Sequence, residues 1–354
     1  MRGSDCRASP NWAGLLARDT IASHLVLRSE ATSQSSIDRP LHQATILMSD
    51  QSPELSVIIA SRNRREMLAG CLHSVEETVR ASHELIVVDD ASTDDTGGLV
   101  REQFPGAVVI SNPRRASWTV TNNQGIRAGH GRHFLLVNDD AKVLPGAIDR
   151  CLAFLAEQPR VGIVSPRILN ADGTLQPCAR RFPGWGEALA QTFDLHRWRP
   201  GTKATQRYYG ADFDYTQDFS ADDIGSTCWL LRRECYEQVG PFDERFPPNF
   251  SDMEYNMRLA EAGWERWVLA DAETIHYGGA TMGLLNLAQL WDYHRGGWLI
   301  YHKHYAGKYN PLVNALAYTG IAARFGYKAL LRGTGLDRLT RKLPAPHRRR
   351  EKAG

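Results

Sequence analysis

The six cysteines, Cys6, Cys71, Cys151, Cys178, Cys228 and Cys235, are scattered, and no two stand in a C-x-x-C pair. A zinc ribbon or a dithiol redox motif is therefore unsupported, and reduced, buried thiols in a cytoplasmic protein are expected. No run is long and apolar enough to span a bilayer. The N-terminus lacks the apolar core of a signal peptide, so secretion is not indicated. Net charge is only +2, which argues against a nucleic-acid binder. What remains, with 42% hydrophobic and 23% charged residues over 354 positions, suits a soluble globular enzyme of one large domain or two smaller ones.

The basic residues are uneven. After Leu331 the chain carries Arg332, Arg338, Arg341, Lys342, Arg348, Arg349, Arg350 and Lys352 against only Asp337 and Glu351. Such a tail is either a solvated, disordered end or a contact with an anionic membrane surface. Residues 1–50 show no sustained apolar period and read as a flexible arm. Met48 stands just before the first clear strand and is a candidate start.

Ordered pattern begins at Leu55–Ala60 (LSVIIA), a short β-branched run that reads as a buried strand. A helix is expected over Arg65–Arg80, with Met67, Cys71, Val75 and Val79 at helical spacing. Strand Leu85–Val88, helix Thr96–Gln103, strand Ala107–Ile110, helix Val120–Ala128 and strand Phe134–Val137 follow. Alternation with short connections predicts an α/β fold built on a mostly parallel, right-handed sheet. Past the strand Val161–Val164, residues 165–222 are rich in Gly, Pro, Arg and aromatics and read as loops over the sheet edge, where an acceptor would bind. Regular pattern resumes with strand Thr227–Leu231, helix Arg233–Val239, a helix from Ser251 to about Ala262, and short strands at Trp267–Leu269 and Thr274–Ile275.

Ligands in such sheets collect at the carboxyl ends of the strands, and polar residues stand there. Ser61–Arg62–Asn63 follow the first strand, Asp89–Asp90 the second, and Asn138–Asp139–Asp140 the fourth. In VVDDASTDDT, Asp89 and Asp90 can accept hydrogen bonds from a base or ribose. The alternative is that Ser92 caps the next helix, with Asp94 and Asp95 at its positive end. In LLVNDDAKVLPGAI, Asn138 and Asp140 are two residues apart and are expected on one side of an extended strand end, as hard oxygen ligands for a cation that bridges phosphates. In NFSDMEYNMRLAEAGW, Ser251 and Glu254 fit a capping box, which puts Asp252 in the first helical turn, where an ionised carboxylate can act as a general base. His276, in TIHYGGAT, is a candidate ligand for manganese or a similar ion, or a structural histidine.

Together VIIASRNR, ELIVVDDASTDDT, NNQGIRAGHG, LLVNDDAKVLPGAI, GSTCWLLRRECYEQVGPFDERF, SDMEYNMRLAEAGW and TIHYGGAT resemble, in order and spacing from about Leu55 to Thr281, the family-2 glycosyltransferases of the GT-A fold. The set is most similar to bacterial rhamnosyl- and galactofuranosyltransferases of cell-wall or surface polysaccharide synthesis. The stretch YHKHYAGKYNPLVNALAYTG also resembles the tail of that subgroup.

The resemblance implies a GT-A domain over 51–283, with a nucleotide-sugar half at 51–165 and an acceptor half at 166–283. A helical extension at 284–335 and a basic tail at 336–354 would follow. It places Ala60, Arg62, Asp89, Asp90, Asn123 and Asp139 on the nucleotide sugar, and Asp140, Asn138 and His276 on a divalent cation, Mn2+ or Mg2+. Asp252 would be the general base, with Trp229 and Glu254 on the acceptor side. The implied partners are a nucleotide-diphosphate sugar and a glycan or lipid-linked acceptor, with no nucleic acid. The implied place is the cytoplasm. The apolar stretch Pro311–Leu331, with Arg324 and Lys328 one helical turn apart, reads either as an interfacial helix that would meet a membrane together with the basic tail or as an amphipathic helix packed on the sheet.

Departures from the family pattern are specific. The usual E-D-x-D reads S-D-M-E, closer to the D-D-x-E of galactofuranosyltransferases, and the metal motif reads N-D-D, without its first carboxylate. NPRRASW lacks the Asn and Gly usual before NNQG. The missing carboxylate leaves open a degenerate transferase that only binds a sugar nucleotide or a partner. A nucleotidyltransferase would want a glycine-rich phosphate loop after the first strand, and SRNRREM has none.

Overall fold

In a computed structural model the chain is described over residues 52–184, 206, 208, 210–278 and 286–334. The expected N-terminal arm, the basic tail from 336, part of the loop-rich acceptor side and Gly279–Thr281 of the TIHYGGAT segment lie outside these residues.

The first half alternates as its apolar runs require. Strand β1 (Leu55–Ser61) is followed by α1 (Arg65–Thr78), β2 (His83–Asp89), α2 (Thr96–Gln103), β3 (Val108–Ser111), α3 (Trp118–Ala128), β4 (His133–Val137), β5 (Ala141–Val143), α4 (Ala147–Glu157) and β6 (Val161–Leu169). Then come β7 (Ala179–Arg180), β8 (Phe219–Ser220), β9 (Asp223–Ile224), β10 (Cys228–Arg232), α5 (Arg233–Val239), α6 (Pro248–Glu261) and β11 (Glu265–His276). Helices α7 (Leu287–Ile300) and α8 (Pro311–Gly333) close the described chain, joined by a π-turn at Tyr301–Tyr305 and a 3-10 turn at Ala306–Lys308.

Among the described residues nine strands form one sheet in the order β3-β2-β1-β4-β10-β6-β11-β5, with β8 on β11. Strands β3, β2, β1 and β4 are mutually parallel, and β6 pairs parallel with β11. Strand β10 lies antiparallel between β4 and β6. Strands β1 and β4 are apolar on both faces because helices cover both. Leu55, Val57 and Ile59 join one buried cluster, and Ile58 joins the other with Ile86, Phe134, Leu136 and Trp229. Helix α3 comes so close to β1 that a Cβ on Gly125 would overlap the Ile58 side chain.

Chain order reverses between β1 and β4, since β2 and β3 extend one way and β4 the other. That is the switch point at which an open sheet leaves a crevice for ligands.

Three local expectations change. Strand β11 is one strand instead of two, with a register shift between Leu269 and Glu273 that breaks its apolar pattern. Helix α2 is preceded by Asp95 in the left-handed region (φ 58°) with no side-chain cap, so Ser92 is not its cap. Helix α6 starts at Pro248, a favoured first helical position. Ser251 therefore lies inside the helix, its hydroxyl donating to the Pro248 carbonyl at 2.9 Å, and the capping box does not form. Asp252 is one turn further in than expected.

The five cysteines of the described residues are free, four of them buried. Among the described residues no helix is long and apolar enough to cross a membrane.

Candidate active site

Strands β1 and β4 end side by side and deliver their polar residues to one place. Ser61 Oγ donates to Asp139 Oδ2 at 2.8 Å. Arg64, just past β1, donates from Nη1 to Asp139 Oδ1 at 3.1 Å and to Asp140 Oδ2 at 2.6 Å. Because β4 stops at Val137, residues 138–140 form a turn, and the convergent acids are the consecutive pair Asp139–Asp140. The expected alternation of Asn138 and Asp140 on a strand is not what forms. Asn138 acts through its backbone: its N–H donates to Thr227 O at 3.0 Å, and its carbonyl accepts from Ala141 N–H and Cys71 Sγ.

Asp139 and Asp140 are both buried, yet differ electrostatically. For Asp139 burial dominates and raises its pKa, although Ser61 and Arg64 oppose it. For Asp140 burial also raises, but hydrogen bonds and charge from His276 and Arg64 outweigh it and hold the carboxyl below its usual range. His276 comes from the end of β11, which pairs with β5 so that His276 stands opposite Ala141. Its Nε2 lies 3.1 Å from Asp140 Oδ1, and its Nδ1 is 2.7 Å from Gln176 Oε1.

These residues fit a divalent cation on two counts. With Gln176 Oε1 facing Nδ1, Nε2 is turned to Asp140 Oδ1, and either a proton or a cation can lie between them. Their separation is close to the roughly 3 Å expected between neighbouring ligand atoms of an octahedral cation bound at about 2.1 Å. Next to them Gly278 leaves its Cβ position empty, and a methyl there would overlap Asp140 Oδ2 and stand 3.1 Å from His276 Nε2. Among the described residues no three His, Cys, Asp or Glu side chains gather to hold a metal by themselves. A cation at this place would draw the rest of its shell from ligand oxygens.

A second acidic pair lies nearby. Thr227, which accepts from Asn138, follows Ser226, and the Ser226 N–H donates to the Asp252 carboxylate. The N–H of Met253 donates to the same carboxylate at 2.9 Å. Adjacent residues leading into β10 thus connect the Asp139–Asp140 turn to Asp252 on α6. Asp223, on β9, is buried and accepts from Asn256 Nδ2 at 2.9 Å. Burial first, and then the charge of Asp252, push the Asp223 carboxyl up to about 7. Burial also raises Asp252, opposed by the charge of Arg180 on β7 and by the backbone donors.

The expected nucleotide residues divide. Ser61 and Asp89 pair across β1 and β2, which brings Ala60, Arg62, Asp89 and Asp90 to one rim. Asp89 Oδ1 accepts from Ser92 N–H at 3.0 Å, and Asp90 Oδ1 accepts from Ala116 N–H at 2.6 Å and Asn112 Nδ2 at 3.2 Å. Both therefore shape loops around the rim. Asn123 does not belong there: its amide exchanges hydrogen bonds with the Phe242 backbone and donates to Glu244 Oε1, which commits it to tying α3 to the 242–244 loop. Trp229 is fully buried among Phe242 and Tyr255, its Nε1 donating to Gly225 O. Being core, it cannot meet an acceptor. Glu254 is likewise buried, its carboxylate taken by Arg258 at 2.7 Å and Lys303 at 2.7 Å. It joins α6 to the π-turn of the extension instead of facing an acceptor. Arg64, Gln176 and Asp223 were not singled out from the sequence. Only Asp223 carried a signal, an acidic doublet just ahead of a strand.

The O-antigen biosynthesis protein RfbC of Myxococcus xanthus is 28% identical over 236 residues, 65% of this chain and 18% of that protein. An N-acetylglucosaminyl-diphospho-decaprenol L-rhamnosyltransferase of Mycobacterium tuberculosis is 23% identical over 239 residues, 63% of this chain and 76% of the relative. The chain thus spans under a fifth of the first relative's length and about three quarters of the second's. Among solved structures, mannosyltransferase PcManGT from Pyrobaculum calidifontis, in complex with GDP-Man and Mn2+, superposes with a TM-score of 0.50 at 18% identity over 81% of each chain. That likeness concerns the fold, which is GT-A. The profile of the glycosyl transferase family 2 domain matches residues 56–240, more than half of the chain. The first two carboxylate-bearing strand ends and β10 all lie inside that match, and the chain belongs to glycosyl transferase family 2.

Proposed function

We propose that this chain moves a sugar, rhamnose, galactofuranose or a similar hexose, from a nucleotide-diphosphate donor to a hydroxyl of a glycan or polyprenyl-linked acceptor in polysaccharide biosynthesis, with inversion at the anomeric carbon. The observation that carries this reading is the short hydrogen-bonded path from Asn138 through Thr227 and Ser226 to Asp252. It sets a candidate base beside a candidate diphosphate site. The two relatives, an O-antigen biosynthesis protein and an N-acetylglucosaminyl-diphospho-decaprenol L-rhamnosyltransferase, support the acceptor class and the sugar.

In this reading the nucleotide lies along Ala60, Arg62, Asp89 and Asp90, and its diphosphate lies at Arg64 and the Asp139–Asp140 turn. Asp140 and His276 would hold Mn2+ or Mg2+, which supplies positive charge beside the leaving diphosphate. Ionised Asp252 takes the proton of the acceptor hydroxyl. That oxygen bonds to the anomeric carbon from the side opposite the diphosphate. The bond to the diphosphate oxygen breaks, and its electron pair leaves with the nucleotide. One displacement inverts the carbon, with no covalent enzyme intermediate.

Helix α8 gives the acceptor reading further support. Leu312, Leu316, Tyr327 and Leu330 on its outer side are each more than half exposed, a surface suited to the interfacial zone of a bilayer. Arg324 turns the other way, to His294 Nε2 at 3.0 Å. Binding to anionic vesicles in a flotation assay is expected, and its absence would remove the membrane contact.

The deciding experiment is release of nucleoside diphosphate from dTDP-rhamnose, UDP-galactofuranose, UDP-glucose and UDP-N-acetylglucosamine, with crude polyprenyl-linked acceptor, in manganese, magnesium or chelator. Metal-dependent release from one donor is expected. Neither release nor binding of any donor would overturn the donor site.

A further inference from the structure

We propose that Gln176 is a positioning residue that fixes the tautomer of His276 and so turns the Nε2 lone pair toward the cation; this rests on the reading that Asp140 and His276 hold one. The two side chains are 100 residues apart and meet at 2.7 Å, Nδ1 to Oε1. Which end of the Gln176 amide faces the ring is settled by its neighbours. Leu175 O, a carbonyl that can only accept, receives a hydrogen bond from Asn170 Nδ2 at 3.3 Å, and the same nitrogen donates to Thr174 Oγ1 at 2.9 Å. Asn170 therefore presents Oδ1 to Gln176, whose Nε2 donates to it at 2.9 Å and to the Gly278 carbonyl at 3.2 Å. With its N–H groups committed to two acceptors, Gln176 has only Oε1 left for the imidazole.

An amide oxygen can only accept, so Gln176 holds a proton on Nδ1, and Nε2 is left as the nitrogen that trades its proton for a cation. Nε2 faces Asp140 Oδ1, 3.1 Å away, and donates to it while it carries that proton. A ligating imidazole whose other nitrogen donates to a fixed acceptor is held in tautomer and orientation at once. Here the acceptor is itself rigid. Asn170 N–H donates to Thr174 O at 2.8 Å, Asp172 Oδ1 accepts from Thr174 N–H at 3.0 Å, and Gly173 takes the positive φ (82°) that the tight turn needs. The bond to Gly278 O also ties Gln176 to the loop that leaves His276, so ring and acceptor are held in register.

The test uses two readouts on the intact chain. Nitrogen-15 NMR of metal-free, histidine-labelled protein carrying Asp140→Ala, which removes the competing carboxylate, at a pH where the ring is neutral, reports the His276 tautomer, with His276→Ala identifying its signals. Titration with Mn2+ alone, followed by electron paramagnetic resonance, reports affinity. With Gln176 in place the ring is expected to show the Nδ1–H form. Gln176→Leu is expected to lose that preference and to bind manganese about 10- to 100-fold more weakly, the usual effect of removing such an outer partner. Gln176→Glu keeps an acceptor at the ring but sets its second oxygen against Asn170 Oδ1 and the Gly278 carbonyl, so it should retain the Nδ1–H form and bind manganese more tightly than Gln176→Leu.

An unchanged tautomer and unchanged affinity in Gln176→Leu, with weakened binding in His276→Ala, would overturn the role of Gln176 and leave the cation site standing. Unchanged affinity in His276→Ala would remove the cation site and the proposal with it. Should Gln176→Leu fail to fold, loss of the Nδ1–H form in Gln176→Glu overturns the proposal alone.

Discussion

Asp140 and the Asp223–Asp252 pair are carboxylates joined by a short backbone path, and their surroundings treat them in opposite ways. Asp139 and Asp140, the first pair, share the Arg64 guanidinium, and Asp140 also faces His276; together these hold the Asp140 carboxyl below its ordinary range despite burial. Asp223 of the second pair is buried with a neutral amide, Asn256, at hydrogen-bond distance, and the charges of Arg180 and Arg266 and the donors around the pair oppose burial without overcoming it. There burial prevails and the proton is kept to higher pH. The same residue type is thus prepared in one place to face positive charge and in the other to exchange a proton. An acidic doublet in a sequence does not say which of these it is, because the difference lies in what the fold brings against it.

The largest effect that separates the pairs should come from Asp252→Asn. Removal of a placed general base costs on the order of 10²- to 10⁴-fold in rate, while manganese and donor binding should stay as in wild type. Asp140→Asn should show the converse weight, with manganese binding lost first. Single-turnover kinetics beside manganese titration of both variants checks this. If Asp252→Asn lost donor binding as well, the two pairs would be one site and the contrast would collapse.

Much of this was legible before any coordinates. Strands β1, β2, β4 and β10 announce themselves because burial on both faces demands unbroken apolar runs, and helices α2 and α5 keep the expected limits. Asp140 and His276 were expected after strands, and the fold brings them within 3.1 Å of each other, whereas Asp252 was expected in a first helical turn that it does not occupy. Helix α6 begins at Pro248, ahead of the expected Ser251, because proline suits a first helical position. Trp229, Asn123 and Glu254 sit inside family-like motifs yet serve packing, since a motif does not reveal whether a residue faces the crevice or the core. Arg64 is one arginine among several in SRNRR, and Gln176 stands 100 residues from the imidazole it meets. Neither leaves a local trace, because each acquires its role only through tertiary contact.

A smaller effect should come from Asp223→Asn, which removes the like charge beside Asp252. A proton is held by the pair to higher pH through burial and mutual repulsion, so transfer should rise with pH as Asp252 loses its proton. Without Asp223 that rise should move to lower pH, by on the order of one unit for a neighbouring buried carboxylate. The pH profile of kcat/KM for both forms checks it. A limb that stayed in place, or moved upward, would show that Asp223 does not feel Asp252 during turnover.

The smallest expected effect concerns Arg64, whose guanidinium is nearly half exposed while its two partners are buried. In the free protein it supplies positive charge to Asp139 and Asp140, which a cation would otherwise supply, so guanidinium and cation compete for Asp140. Arg64→Gln should therefore tighten manganese binding to the free protein, by no more than about fivefold, because a half-exposed ion pair is worth about 1 kcal/mol or less. The same change should weaken binding of nucleoside diphosphate, which loses a cationic partner. Titrating manganese and UDP separately into both proteins distinguishes these opposite signs. If both affinities fell together, Arg64 would be holding the turn in shape, and the cation-facing character of the first pair would rest on His276 alone.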